Sequence, residues 1–175
     1  MIAPSSALAG REQYRKAFYK RTRRGKVVQI VQERYLRSDL DCGVMHGALL
    51  TASALRDVVA QAPHRQLLVV DTNIALHQID LLEFSCPATA LLVLTQTVLQ
   101  ELKHLNVSVF RRVLELAKDE KRSFIFFANE FAASTAAPRE QQESANDAND
   151  RAIVLAAAHF QRVLDEGGTG TGGET

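Results

Sequence analysis

An apolar run that ends abruptly in an acid constrains the fold of this chain more than any other feature. Residues 67–70 are four aliphatic side chains in succession, and Asp71 follows them directly. Such a run is typical of a strand buried on both faces, as in the parallel sheet of an α/β protein. Asp71 would then lie at the carboxyl end of the strand, where open α/β sheets bind their ligands. Thr72 or Asn73 can cap a helix predicted over residues 74–82.

The same alternation of short apolar runs and helical periodicity continues through the rest of the chain. It predicts two more strands, at 90–94 and 124–127. Three further helices are predicted at 97–105, from a cap at Asn106 or Ser108 to about residue 118, and at 149–164, the last after a polar loop over 132–145. This order of elements predicts an α/β fold with a central parallel sheet and helices on both faces, in three αβα layers.

The N-terminal third shows no such alternation. Residues 11–24 are expected to be helical or irregular, and the β-rich residues 27–32 predict a short strand. Two glycines bracket a predicted loop over 43–47, and residues 49–62 have the spacing of a helix.

The composition is that of a folded domain. The chain has 175 residues, of which 46% are hydrophobic, and this is enough for one domain with a core. No apolar run reaches membrane-spanning length and no signal-peptide pattern opens the chain, so we expect a soluble, intracellular protein without a membrane partner. The two cysteines, Cys42 and Cys86, are too few for a disulfide scaffold and favour a reducing compartment.

Charge is distributed unevenly along the chain. Residues 11–37 carry ten Lys or Arg against two acids, although the whole chain has a net charge of +1. Aromatic residues are interleaved with these cations at Tyr14, Phe18 and Tyr19. Cations and aromatics in this arrangement can hold phosphates and stack on bases. The alternative is a solvated arm whose aromatics pack on the domain, and the sequence favours neither.

Three acids stand where a sheet of this type would bring them together. Asp71 ends the first strand, Glu101 lies on the helix after the second, and Asp150 is expected in the first turn of the last helix, with Asp147 on the same face. Carboxylates without His or Cys favour Mg²⁺ or Mn²⁺ over zinc. A metal-bound water is a nucleophile at neutral pH, so phosphodiester hydrolysis is the indicated chemistry. Each acid taken singly could instead stabilise a helix N-terminus.

Other reaction classes find less support in the sequence. It contains no glycine-rich phosphate loop and no GxSxG nucleophile elbow. A phosphotransferase with an aspartyl nucleophile would need a second Asp at position 73, where this chain has Asn73. His77 lies among apolar residues of a predicted helix and is interpreted as a packed or surface histidine.

Three motifs carry a resemblance to a known family. Residues 69–83, 96–101 and 146–153 resemble, in this order, the three motifs of the PIN domain in the catalytic subunit of the eukaryotic RNA exosome. Residues 18–25, 35–37 and 42–43 are similar to the start of that subunit, and the resemblance extends from about residue 17 to 164.

The resemblance implies a PIN-like fold and a divalent-metal endoribonuclease that cleaves single-stranded RNA, with Mn²⁺ preferred over Mg²⁺ and two ions in the complete site. Asp71, Glu101 and Asp150 match three of the family's four metal-binding acids. The neighbouring residues that would support them are Thr72, Asn73 and Asn149. The resemblance further implies a role in RNA processing and decay, including that of rRNA, in the nucleus, nucleolus and cytoplasm.

The resemblance also implies that the N-terminal region docks on the subunits of the exosome core ring. Candidates for contacting RNA or that ring are Lys20, Arg21, Arg23, Arg24 and Lys26. The expected division of the chain is a flexible N-terminus (1–10), a basic arm and docking region (11–63), a truncated PIN domain (64–166) and a flexible glycine-rich tail (167–175).

Two departures from the family pattern leave a second hypothesis open. The family's fourth acid follows one more strand, which we expect to be missing from this chain, and Asp165 closes a helix and does not replace it. The family's three-cysteine zinc motif begins at Cys42, but its other positions fall near Gly47 and Leu50, so zinc is not expected. The second hypothesis is therefore a docking or RNA-binding module without catalysis. The subunit's exonuclease half has no counterpart in this chain.

Overall fold

Two β-sheets organise the part of the chain that the computed structural model describes, which is residues 13–136, 140 and 142–166. The first sheet is an antiparallel hairpin of β1 (Gln13–Arg21) and β2 (Val27–Tyr35). The expectation of a helical or irregular segment over 11–24 is therefore wrong for β1. Lys and Arg are good helix formers in isolation, but nine residue pairs with the β-rich strand β2 satisfy the backbone of β1 instead.

The second sheet has five strands in the order β4-β3-β7-β6-β5. Its parallel part, β5 (Leu68–Val69), β6 (Leu91–Thr95) and β7 (Ser123–Phe127), confirms the three strands predicted from the apolar runs, although β5 is shorter than expected. At the edge, β3 (Val44–Met45) runs antiparallel to β7, so the sheet is mixed.

Strands β3 and β4 (Ala48–Leu49) replace the predicted loop over 43–47. Their connection is His46-Gly47, and both residues have positive φ, 49° and 79°. This is the backbone of a type I′ turn, whose twist matches that of paired strands. Gly43 precedes β3 with a φ of 74°, and a Cβ there would lie 2.6 Å from the carbonyl oxygen of Phe126. A glycine is therefore required where β3 approaches β7.

Helices cover both faces of the sheet, which confirms the three-layer prediction. Within the described residues they are α1 (Ala52–Gln61), α2 (Thr72–His77), α3 (Ile79–Glu83), α4 (Gln96–Leu105), α5 (Val107–Lys118) and α6 (Ala145–Asp165). Leu92 and Leu94 of β6 pack with α2 to α5, and Leu91 and Val93 pack with α1 and α6. The single helix predicted over 74–82 is two short helices, because Gln78 leaves helical geometry at φ −129° and ψ 36°. None of the described helices is long and apolar enough to span a membrane.

Helix α6 begins four residues earlier than the predicted start at Asn149. Ser144 caps it: its Oγ accepts from the Asp147 N–H at 3.0 Å, and the Asp147 carboxylate accepts from the Ser144 N–H at 3.3 Å. This reciprocal pair is a capping box. Asp147 is thus committed to the capping box, whereas Asp150 lies in the second turn and not in the first, where it was expected.

Candidate metal centre

Glu101, in the second turn of α4, is the point where three helices meet. Its Oε2 accepts a short hydrogen bond from the Thr72 hydroxyl at the start of α2. Its Oε1 accepts from the Asn149 side-chain amide on α6 at 2.8 Å. The carboxylate is half-buried at the end of the sheet where α2 and α4 begin. The structure therefore brings together Glu101 and two of the three residues predicted to support the site.

Asp71 is held beside this point as the N-cap of α2. Its Oδ2 accepts from the Asn73 N–H at 3.1 Å. Because Thr72 is the next residue, the cap fixes Asp71 next to the hydroxyl that binds Glu101. The predicted strand-end position of Asp71 is confirmed, and Asn73 contributes its backbone N–H to the cap.

Asp150 is exposed, and its Oδ2 accepts from the Asn146 side-chain amide at 3.1 Å. Asp150 therefore does not share the inward face of α6 with buried Ile153. On a helix, a residue four positions before Ile153 lies about 40° from it and one three positions before lies about 60° away on the other side. Asn149 takes the inward side and reaches Glu101, so Asp150 stands at the rim.

The donor chemistry of this centre fits a divalent cation that prefers oxygen. Asp71, Glu101 and Asp150 supply carboxylates from three elements, and each Glu101 oxygen keeps a second lone pair beyond its hydrogen bond. The three carboxylates are not preassembled, however. Across residues 13–136, 140 and 142–166, no three His, Cys, Asp or Glu side chains are grouped closely enough to hold a metal ion.

Arg151 is a neighbour of the site that sequence reasoning did not select. Its guanidinium forms two hydrogen bonds to Glu143, at 2.7 and 2.8 Å, and these bonds raise the pKa of Arg151. The pair ties the segment before α6 to the helix that carries Asn149 and Asp150. The sequence gives no signal for this ion pair, because Glu143 lies outside the helix that carries Arg151.

The basic candidates lie at the tip of the β1–β2 hairpin, which is defined by residues 20–27. Lys20, Arg21, Arg23, Arg24 and Lys26 are all exposed. Tyr19 is 72% exposed and Val27 is 59% exposed, so these two side chains do not pack on the domain. The side chains of Tyr14 and Phe18 lie outside the described part of the structure.

Comparisons with known proteins agree with this fold. Residues 68–168 match a family model described as a PIN domain. The chain is 37% identical over 158 residues to the exosome complex exonuclease RRP44 of Homo sapiens, covering 85% of this chain and 16% of that protein. It is 39% identical over 151 residues to RRP44 homolog A of Arabidopsis thaliana, covering 86% and 15%. The chain thus spans about a sixth of the length of these relatives.

A solved structure shows the same fold. The structure of the T. brucei RRP44 PIN domain superposes with a TM-score of 0.63, covering 80% of this chain and 74% of that one at 22% identity. At this identity the likeness concerns the fold alone.

Proposed function

Because this chain belongs to the PIN-domain family, and its resemblance to the PIN region of the exosome's catalytic subunit is confirmed, we propose that it is a metal-dependent endoribonuclease domain for single-stranded RNA. The observation that carries the proposal is the meeting of Thr72 and Asn149 on Glu101. Thr72 directly follows Asp71, and Asn149 directly precedes Asp150, so each of the two residues adjoins another acid of the site. The family and the names of its relatives support a nuclease of RNA processing.

In this proposal Asp71, Glu101 and Asp150 hold Mn²⁺ or Mg²⁺, with two ions in the complete site. Ions held there would supply activation of a water and neutralisation of phosphate charge. The protein's own residues do the positioning. Thr72 and Asn149 fix both oxygens of Glu101, and the Asn73 N–H holds the Asp71 carboxylate through the N-cap hydrogen bond.

A circular single-stranded RNA tests the proposal, because a circle has no end for an exonuclease. Incubation of the chain with the circle and Mn²⁺ should produce linear RNA, and EDTA should prevent it. The Glu101→Gln variant keeps the shape of the side chain but not its negative charge, and it serves as the negative control. A linear RNA of the same sequence is incubated in parallel. If the linear RNA is shortened while the circle stays closed, the activity is that of an exonuclease and the proposal is contradicted.

A second candidate function, docking or RNA binding without cleavage, is favoured by two observations. The three carboxylates are not grouped as a metal site in the described residues, and the exposed basic hairpin tip belongs to a separate sheet. Under this alternative the circle stays closed while the chain still binds RNA.

The hairpin tip is the surface we assign to RNA or to the exosome core ring. The relatives are named as exosome complex proteins, which supports the ring as a partner and supports a role in RNA processing and decay. We further propose action in the nucleus, nucleolus and cytoplasm, where such a partner would meet its RNA.

Replacing Arg23, Arg24 and Lys26 together by Ala should weaken RNA binding. These three side chains are exposed at the tip, so the fold should be unaffected. If all three contact phosphates of single-stranded RNA, the slope of log K against log salt should fall by about 2. Fluorescence anisotropy at several salt concentrations measures both quantities.

A matched control removes three exposed cations elsewhere: Arg111, Lys121 and Arg162. The control variant carries the same change in net charge but should keep the wild-type salt slope. Equal loss in the two variants would show that binding follows net charge and not the hairpin tip. If the tip variant binds RNA normally but loses the core ring, the ring is the partner of the tip.

A further inference from the structure

Asn129, directly beyond β7, is a buried amide whose side chain is committed to one neighbour. It is 1% exposed. Its Oδ1 accepts from the backbone N–H of Thr97 at 3.3 Å, and its Nδ2 donates to the Thr97 hydroxyl at 2.9 Å. Thr97 is itself 3% exposed. Both ends of the amide thus hold a single residue in the first turn of α4.

The first turn of α4 needs such partners, because the first four N–H groups of a helix have no acceptor within it. Thr95 caps the helix and accepts from the Val98 N–H at 3.3 Å. The Thr97 N–H donates to Oδ1 of Asn129, which follows the end of the adjacent strand. Two acceptors from different elements therefore fix the direction in which α4 leaves the sheet.

The backbone of Asn129 is fixed as firmly as its side chain. Its N–H donates to the Phe127 carbonyl at 2.9 Å. Its carbonyl accepts from the Thr135 hydroxyl at 2.8 Å, and Thr135 is 4% exposed. A buried, hydrogen-bonded network of this kind is rigid, since breaking any member leaves a polar group without a partner.

Thr97 precedes Glu101 by four residues, so the two lie one above the other on the same face of α4. We propose that Asn129 is a positioning residue for Glu101: by clamping Thr97 it sets the place of the carboxylate that Thr72 and Asn149 contact. This inference rests on the proposed metal site. Loss of a group that orients a metal ligand lowers metal affinity by about 10- to 100-fold.

The test compares two asparagines that cap different helices. Asn129→Ala removes the clamp on α4. Asn106→Ala removes the N-cap of α5, where Asn106 accepts from the N–H groups of Ser108 and Val109 at 3.0 and 3.2 Å. Helix α5 carries none of the three acids. Both variants should melt below wild type, but Asn129→Ala alone should raise the Mn²⁺ concentration at half-saturation of the site by about tenfold. This concentration, the Mn²⁺ midpoint, is fitted from the dependence of Tm on Mn²⁺.

A second pair of variants covers the case in which Asn129→Ala does not fold. Thr97→Val removes the hydroxyl that accepts from Asn129 and should raise the Mn²⁺ midpoint. Thr97→Ser restores that hydroxyl and should return the midpoint to the wild-type value. Hydrogen exchange of the Thr97 amide should quicken in Asn129→Ala and stay slow in Asn106→Ala.

The outcomes separate this inference from the proposed function. If wild type is stabilised by Mn²⁺ and Asn129→Ala and Thr97→Val have the same midpoint as wild type, Asn129 does not position Glu101 and the metal site stands. If Asn106→Ala shifts the midpoint equally, the effect is general loss of stability and the inference is overturned. If wild type itself gains no stability from Mn²⁺, the metal site fails and the inference with it.

Discussion

We expect Asp150→Asn to abolish the metal-dependent cleavage of RNA and Asp147→Asn to leave the cleavage rate unchanged. This pair has the largest expected difference, because the two acids lie three residues apart on one helix and only Asp150 is assigned to the ion. Loss of a residue that orients a metal ligand can lower activity by about 100-fold. Loss of the ligand itself should lower it by at least as much. Since Asp150 is exposed, its replacement by Asn should not disturb folding.

Asp147 provides the control for this comparison. It belongs to the capping box at the start of α6, and Asn can still accept from the Ser144 N–H. Only the negative charge at the helix N-terminus is lost, which should lower the free energy of unfolding by about 0.5 kcal/mol. Opening of circular RNA and urea denaturation measure the two effects. Cleavage that survives in Asp150→Asn and disappears in Asp147→Asn would reverse the assignment.

We expect Asp71→Asn to remove the stabilisation of the chain by Mn²⁺ that the proposed metal site predicts. Asn is as good an N-cap as Asp, so the variant should keep the hydrogen bond from the Asn73 N–H and melt close to wild type in EDTA. In wild type, Mn²⁺ at 100 times its dissociation constant should add about 2.7 kcal/mol to the free energy of unfolding, a shift of several degrees in Tm. Scanning calorimetry with and without Mn²⁺ gives the comparison. An equal shift in both proteins would exclude Asp71 as a ligand.

The core of the fold could be predicted from local pattern. Continuous apolar runs mark β6 and β7, and helical spacing with a cap at Asn106 marks α5. The hairpin strand β1 could not be predicted in this way, because its cations favour a helix and only its pairing with β2 makes it a strand. The pairing of β3 with β7 is equally hidden, since a two-residue strand has no period of its own.

The candidate site was predictable as a set of residues but not as a geometry. Which side of α6 faces Glu101 depends on helix phase, and a difference of one residue exchanges Asn149 for Asp150 at the inward position. Asn129 was not selected, because its partner Thr97 is distant in sequence. A single polar residue closely following a buried strand is the one signal that could have marked it, and that signal is weak, since turns carry the same residue type.

The position of β3 at the edge of the mixed sheet has a consequence for synthesis on the ribosome. Val44 pairs with Phe126, so β3 and β4 leave the ribosome long before β7, the strand with which β3 pairs. Helix α1 likewise has no packing partner at first, since Leu55 and Val59 pack with residues of β6, β7 and α6. Apart from the local β1–β2 hairpin, folding therefore cannot proceed in the order of synthesis, and residues 44–61 stay open to chaperones until β7 and α6 have left the exit tunnel.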